Sequence, residues 1–242
     1  LSVWDPTTQQ RVWRHRVALR HNAPAEVAAL ASSRGAKAFA ALVLPFDGDN
    51  NDVVIQVWQG DQPSAVAKFE ATRWVKYSQD RTSAICFAMQ GRRLVFAGKL
   101  RDQKKAPADS LTVIDTKTWK VSSHIQLGGA AGEITAAPSN SLVAVHVMTT
   151  PFASRKSLQD KIAHIRVWNV ATGQLNAQSP VLLGVKPIME FVNQDQHLGL
   201  LFSRGSSVWG PTSSFTGVGI MNISNGQVQP LARTAYPARS GG

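Results

Sequence analysis

Cysteine is almost missing from the sequence. Cys86 stands alone among 242 residues, so neither an internal disulfide nor a Cys-x-x-Cys metal site is available. Its place inside the apolar run 84–88 predicts a buried, small apolar residue. Long hydrophobic runs are missing too, because Arg, Lys, Asp or Gln interrupts each before about 18 residues, which excludes a membrane-spanning helix. Negative charge is scarce: 15 acidic residues face 26 Lys and Arg, a formal net charge of +11. Such a surplus favours acidic partners or aids solubility by self-repulsion, and it does not specify a fold. The chain opens at Leu1 with no charged and then apolar leader. Any targeting segment is therefore expected upstream or removed, and the compartment stays open.

Chemical signatures are equally sparse. No Gly-x-Ser-x-Gly elbow, phosphate-binding loop or dinucleotide fingerprint occurs. His15, His21, His124, His146, His164 and His197 lack metal-ligand spacing. Asp47, Asp49 and Asp52 lack the distal Glu of a calcium loop and read as an acidic turn. Neither a metal nor a cofactor is expected. An axial site in a propeller enzyme stays open as an alternative, since its residues would come from separate repeats and leave no linear motif.

What is present is a core-forming composition, 43% hydrophobic, and a repeat. Segments 1–5 (LSVWD), 55–59 (IQVWQ), 111–115 (LTVID), 165–169 (IRVWN) and 218–222 (VGIMN) share an aliphatic, any, aliphatic, large apolar, Asx-or-Gln pattern. The fourth positions Trp4, Trp58, Ile114, Trp168 and Met221 are spaced by 54, 56, 54 and 53 residues. A fixed period of this kind marks a repeat architecture. The period-two alternation predicts strands, and the fifth positions, Asp5, Asp115, Asn169 and Asn222 among them, open short turns, since Asx side chains bond their own downstream backbone. Between successive motifs lie two further β-rich runs, giving four strands per repeat.

The endings Val3-Trp4-Asp5, Val57-Trp58, Val113-Ile114-Asp115 and Val167-Trp168-Asn169 resemble the Trp-Asp close of WD40 repeats, and the pattern is similar to YVTN and quinoprotein-like propellers. The period is longer than that of WD40 proteins, and their Gly-His dipeptide is missing, with Arg20-His21 nearest to its place. The resemblance implies an all-β fold, a β-propeller of four-stranded blades forming one domain over 1–242. The strands divide into a partial blade at 1–19, four blades at 25–70, 82–127, 132–183 and 187–233, and a flexible tail at 234–242. Four complete blades plus half of a fifth imply part of a seven- or eight-bladed ring, completed by more chain or by a second copy as a homo-oligomer.

Function is expected where insertions gather. The loops between the second and third strands, 45–52, 99–107, 150–161 and 204–215, are long and lie on one face, joined by the connection 73–81. Cations and aromatics interleave there: Arg73, Trp74, Lys76, Arg101, Lys104, Lys105, Arg155, Lys156 and Trp209. Trp and Arg are enriched in protein-interface hot spots, so these residues point first to a protein partner of a non-catalytic scaffold. The same mixture suits RNA or another polyanion as the alternative.

Overall fold

The structure is a computed structural model that describes residues 2–4, 11–14, 25–33, 37–45, 52–60, 62, 64–73, 84–107, 109–149, 162–183, 187–202 and 215–235. It is all-β and divides into two compact units, Leu1–Gln126 and Leu127–Gly242. No helix among the described residues is long and apolar enough to cross a membrane.

In the first unit, β1 (Ser2–Trp4) and β2 (Arg11–Arg14) form an antiparallel pair. β3 (Ala25–Ser32), β4 (Ala38–Pro45), β5 (Asp52–Gln59) and β6 (Ala67–Arg73) follow as an antiparallel meander. β7 (Ile85–Ala88), β8 (Arg93–Leu100), β9 (Ser110–Asp115) and β10 (Lys120–Gln126) make a second meander. The two are hydrogen-bonded into one sheet, because Ala71, Thr72 and Arg73 of β6 pair with Leu100, Lys99 and Gly98 of β8. The cause is unequal length. β7 covers only the first half of the eight-residue β8, and the remaining backbone groups need partners, which β6 supplies.

The second unit holds β11 (Ala130–Ala136), β12 (Leu142–Met148), β13 (Ile162–Asn169) and β14 (Gln174–Gln178), with β15 (Leu182–Leu183) on the far end of β13. A second sheet follows from β16 (Pro187–Val192), β17 (His197–Phe202), β18 (Phe215–Asn222) and β19 (Val228–Ala235). Along β16, Pro187, Met189 and Phe191 are buried while Ile188, Glu190 and Val192 are exposed, the alternation that a pleated strand imposes. The buried set joins Leu198, Leu200, Phe202 and Met221 against Ile165, Val167 and Leu182 of the preceding sheet. Each such large side chain contributes about 1.5–3 kcal/mol by leaving water. The first unit buries Trp58 completely against Ala41 and Val43.

The turn between the third and fourth strands has one frame in three repeats. Asp115 Oδ1 accepts the amides of Lys117 (2.9 Å) and Thr118 (3.1 Å). Asn169 Oδ1 accepts those of Ala171 and Thr172 (3.0 and 3.3 Å), and Asn222 Oδ1 accepts that of Ser224 (2.8 Å). Four residues on, an amide returns to the Asx carbonyl: Trp119, Gly173 and Gly226, at 2.8, 2.7 and 2.9 Å. All three are left-handed, with φ of +53°, +76° and +75°. Glycine adopts this region freely, whereas a side chain costs roughly 1–2 kcal/mol. Trp119 is the one of the three that bears that cost.

The turns between the first and second strands are also left-handed in two repeats, at Met89-Gln90-Gly91 (φ 54°, 57°, 88°) and Asn193-Gln194-Asp195 (52°, 53°, 65°). Both sit against a neighbouring turn of their own unit. A Cβ on Gly91 would lie 2.9 Å from the Ser33 Cβ. Asp195 is 5% exposed and accepts the Ser139 amide at 3.0 Å and the Ser139 hydroxyl. Cys86 keeps partial surface, yet its thiol is enclosed, and burial pushes its pKa up to about 12.

Candidate partner-binding site

Of the sequence-predicted contact residues, the structure places Arg73, Arg101, Lys104 and Lys105. Trp74, Lys76, Arg155, Lys156, Trp209 and the repeat position Asp5 lie outside the described residues, and for Arg73 and Trp4 only the strand position is described. The site begins at Gly98, where β8 exchanges β7 for β6. Its φ is +143°, and a Cβ there would lie 2.5 Å from the Thr72 carbonyl oxygen and 2.7 Å from the Phe96 ring. Only glycine permits this crossing. The Gly98 carbonyl accepts the Thr112 hydroxyl at 2.6 Å, which fixes β8 against β9.

Beyond the crossing, the Arg101 amide donates to the Glu70 carbonyl at 2.9 Å, extending the ladder by one rung. The Arg101 guanidinium stands 3.8 Å from Glu70 Oε2, with the two side chains 53% and 42% exposed. A pair this open is screened and contributes little to stability. The chain then coils tightly: Gln103 donates its amide to Leu100 (3.0 Å), Lys104 to Asp102 (3.1 Å) and Ala106 to Gln103 (3.0 Å). Ser110 Oγ donates to the Pro107 carbonyl at 2.7 Å and closes the loop. The coil projects Lys104 and Lys105 into solvent, and neither has a carboxylate partner among the described residues.

Beside the coil lies an open concavity of about 420 Å³, lined by Lys68, Phe69, Glu70, Leu100, Arg101 and Asp102. The β6–β8 pairing therefore brings Lys68 and Glu70 of β6 beside Arg101, while Lys99 lies opposite Thr72 and Arg73 opposite Gly98. Sequence reasoning missed Lys68 and Glu70, since the pairing joins two repeats and leaves no mark in either, whereas Lys99 opens the 99–107 loop that the sequence singles out. The arrangement offers cations on a firm backbone frame around a shallow, partly apolar floor. That chemistry suits holding an acidic surface by charge and contact. Among the described residues, no three of the His, Cys, Asp and Glu side chains gather as a metal site.

The repeat residues have structural posts. Trp58, Ile114 and Met221 are completely buried, Trp168 is partly so, and Asp115, Asn169 and Asn222 hold the turns already described. Arg93 reaches across from β8 to the Asp115 carboxylate. The Thr118 amide foremost, then the Lys117 amide and the Arg93 guanidinium, hold that carboxyl below its usual range.

Many solved structures resemble the chain, and two illustrate the likeness. Hydrazine synthase of Kuenenia stuttgartiensis is 12% identical, with a TM-score of 0.56 over 91% of this chain and 56% of that one. A protein assigned as a dipeptidyl aminopeptidase IV of Bacteroides ovatus is 10% identical, with a TM-score of 0.58 over 99% of this chain and 33% of that one. The chain thus spans about half and about a third of the proteins it resembles. No protein-family model and no curated protein matches the sequence. At such identity the likeness defines the fold alone: a β-propeller of four-stranded antiparallel sheets.

Proposed function

We propose that the chain is a non-catalytic, WD40-like propeller scaffold that docks an acidic protein partner on its long-loop face. The observation carrying this reading is the β8–β9 loop, where Lys104 and Lys105 stand exposed, and without acidic partners among the described residues, on a hydrogen-bonded coil beside an open concavity. Preorganised cations of this kind steer an acidic surface and cost little ordering on binding. The Trp168-Asn169 ending with its Asx-held turn, and the same turn frame at Asp115 and Asn222, support the WD40 kinship, within a seven- or eight-bladed ring. Charge reversal of both lysines, Lys104→Glu with Lys105→Glu, tests the reading. The expected result is an association rate with the captured partner that falls roughly tenfold and loses most of its salt dependence. An unchanged rate at low salt contradicts it.

A second reading, self-association through a second copy, has its own observation. Ile188, Leu201 and Val218 are paired across three strands of the last sheet and are 62%, 44% and 42% exposed on its outer face, with Leu231 at 59% nearby. Lysine at Ile188 and Leu201 converts a concentration-dependent sedimentation coefficient to a constant monomer value if that reading holds. A wild-type chain that sediments as a monomer at every concentration rejects it.

A further inference from the structure

The repeats of one chain serve as controls for each other, and one turn departs from its siblings. The turns closed by Gly173 and Gly226 carry Val170-Ala171-Thr172 and Ile223-Ser224-Asn225, without charge, and have glycine at the left-handed position. The β9–β10 turn has the same hydrogen-bond frame, yet it puts Trp119 at that position and exposed Lys117 and Lys120 on either side. More positive charge converges on it. Thr116 binds the β7–β8 turn through its amide to the Arg92 carbonyl (3.2 Å) and its hydroxyl to the Gly91 carbonyl (2.8 Å), which brings exposed Arg92 alongside. Arg93 and Lys120 are both register partners of Asp115, one on each flanking strand. Among the described residues, Asp115 is the one carboxylate in this cluster, and the turn's amides and Arg93 already occupy it.

We propose that this turn is a binding site for single-stranded nucleic acid, with Trp119 as the platform on which a base stacks and Arg92, Lys117 and Lys120 as contacts to the flanking phosphates. The strained backbone motivates a role for the ring, since the same frame closes without strain on glycine twice in this chain. The Trp119 residue is only partly buried, so part of it is open to a ligand. Its neighbours decide between nucleic acid and protein. A protein hot spot needs a surround that excludes water. Here the flanking Arg92, Lys117, Thr118 and Lys120 are all exposed and polar. Cations spaced around an aromatic face are the arrangement that grips a strand by backbone charge and stacked base, without reading its sequence. The site is on a different turn set from the long-loop coil and stands independently of the scaffold reading.

The test is fluorescence anisotropy of the full chain with a labelled 12-mer of oligouridylate, at salt from 50 to 200 mM. Trp119→Gly installs the residue of the sibling turns, so the melting temperature should hold or rise while affinity falls roughly 5- to 100-fold. Trp119→Phe, which keeps a ring, should retain most of the binding. Lys117→Gln with Lys120→Gln removes two phosphate contacts from exposed positions and should reduce the slope of log affinity against log salt by about 1.4. Equal affinity of wild type and Trp119→Gly overturns the proposal. So does binding lost on replacing Lys104 and Lys105 but kept on replacing Lys117 and Lys120. Displacement of the oligonucleotide at equal concentration by poly-glutamate would overturn it in favour of an acidic protein ligand.

Discussion

Gly173 and Gly226 have the same turn position and nearly the same φ, +76° and +75°, but different surroundings, which makes alanine at each a matched pair. A Cβ on Gly173 meets nothing within 4 Å. Its replacement therefore costs only the left-handed backbone preference, roughly 1–2 kcal/mol. A Cβ on Gly226 would lie 2.0 Å from the Gln178 carbonyl oxygen and 2.8 Å from its carbon, both backbone atoms of β14 in the preceding sheet. No rotamer change relieves that approach, so β14 or the turn must retreat by about an ångström. Overpacking of this kind adds about 1–3 kcal/mol. It also pulls on the bond from Asn176 Nδ2 to the Ile223 carbonyl, now 2.7 Å, which ties the same two elements. The expected penalties are then roughly 1–2 kcal/mol for Gly173→Ala and 2–5 kcal/mol for Gly226→Ala. Urea unfolding followed by Trp fluorescence gives both from the midpoint shift at constant slope. Penalties equal within about 0.5 kcal/mol would refute the close packing of β14 against the β18–β19 turn.

Three further outcomes follow from named groups. Asp195→Ala leaves the Ser139 amide and hydroxyl without their acceptor and should cost about 1–3 kcal/mol, and a double-mutant cycle with Ser139→Ala should show coupling above 0.5 kcal/mol. Cys86, with its pKa at about 12 against an ordinary 9.0, should hold roughly a thousandfold less thiolate at pH 8 and react with a disulfide reagent at normal speed only after denaturation. The Asp115 carboxyl is held below its ordinary range in the folded chain. Its stabilisation is therefore fully present above the unfolded carboxylate pKa and is lost as pH falls through the depressed folded one. Asp115→Asn should lower stability at pH 7 and flatten the acid limb of the stability curve, as pH-dependent melting would record.

The four-strand repeat was legible because two local signals coincide: the alternation that buries Val57, Val113 and Val167, and the Asx residues that open the turns at 115, 169 and 222. Asp115, Asn169 and Asn222 act within four residues of themselves, and sequence records such chemistry well. Contacts between repeats were not legible. The β6–β8 ladder depends on β7 being shorter than β8, the Asp195–Ser139 bond spans 56 residues, and the crossing at Gly98 looks like any glycine in a strand until Thr72 is placed beside it. The left-handed Trp119 was hidden for a related reason, since its strain shows only when its turn is superposed on those of Gly173 and Gly226. Within the expected contact surface, Lys99, Lys104 and Lys105 were legible as parts of a basic loop, whereas Lys68 and Glu70 reached it through pairing between repeats.

Site-directed photocrosslinking tests the scaffold account most directly, with a benzophenone amino acid placed at Lys104 in one variant and, in another, at Gln90 in the short β7–β8 turn at the other end of β8. The account predicts a crosslinked adduct of defined mass with the protein partner from position 104 and none from position 90. An adduct from position 90 with none from position 104 would contradict docking through the β8–β9 loop.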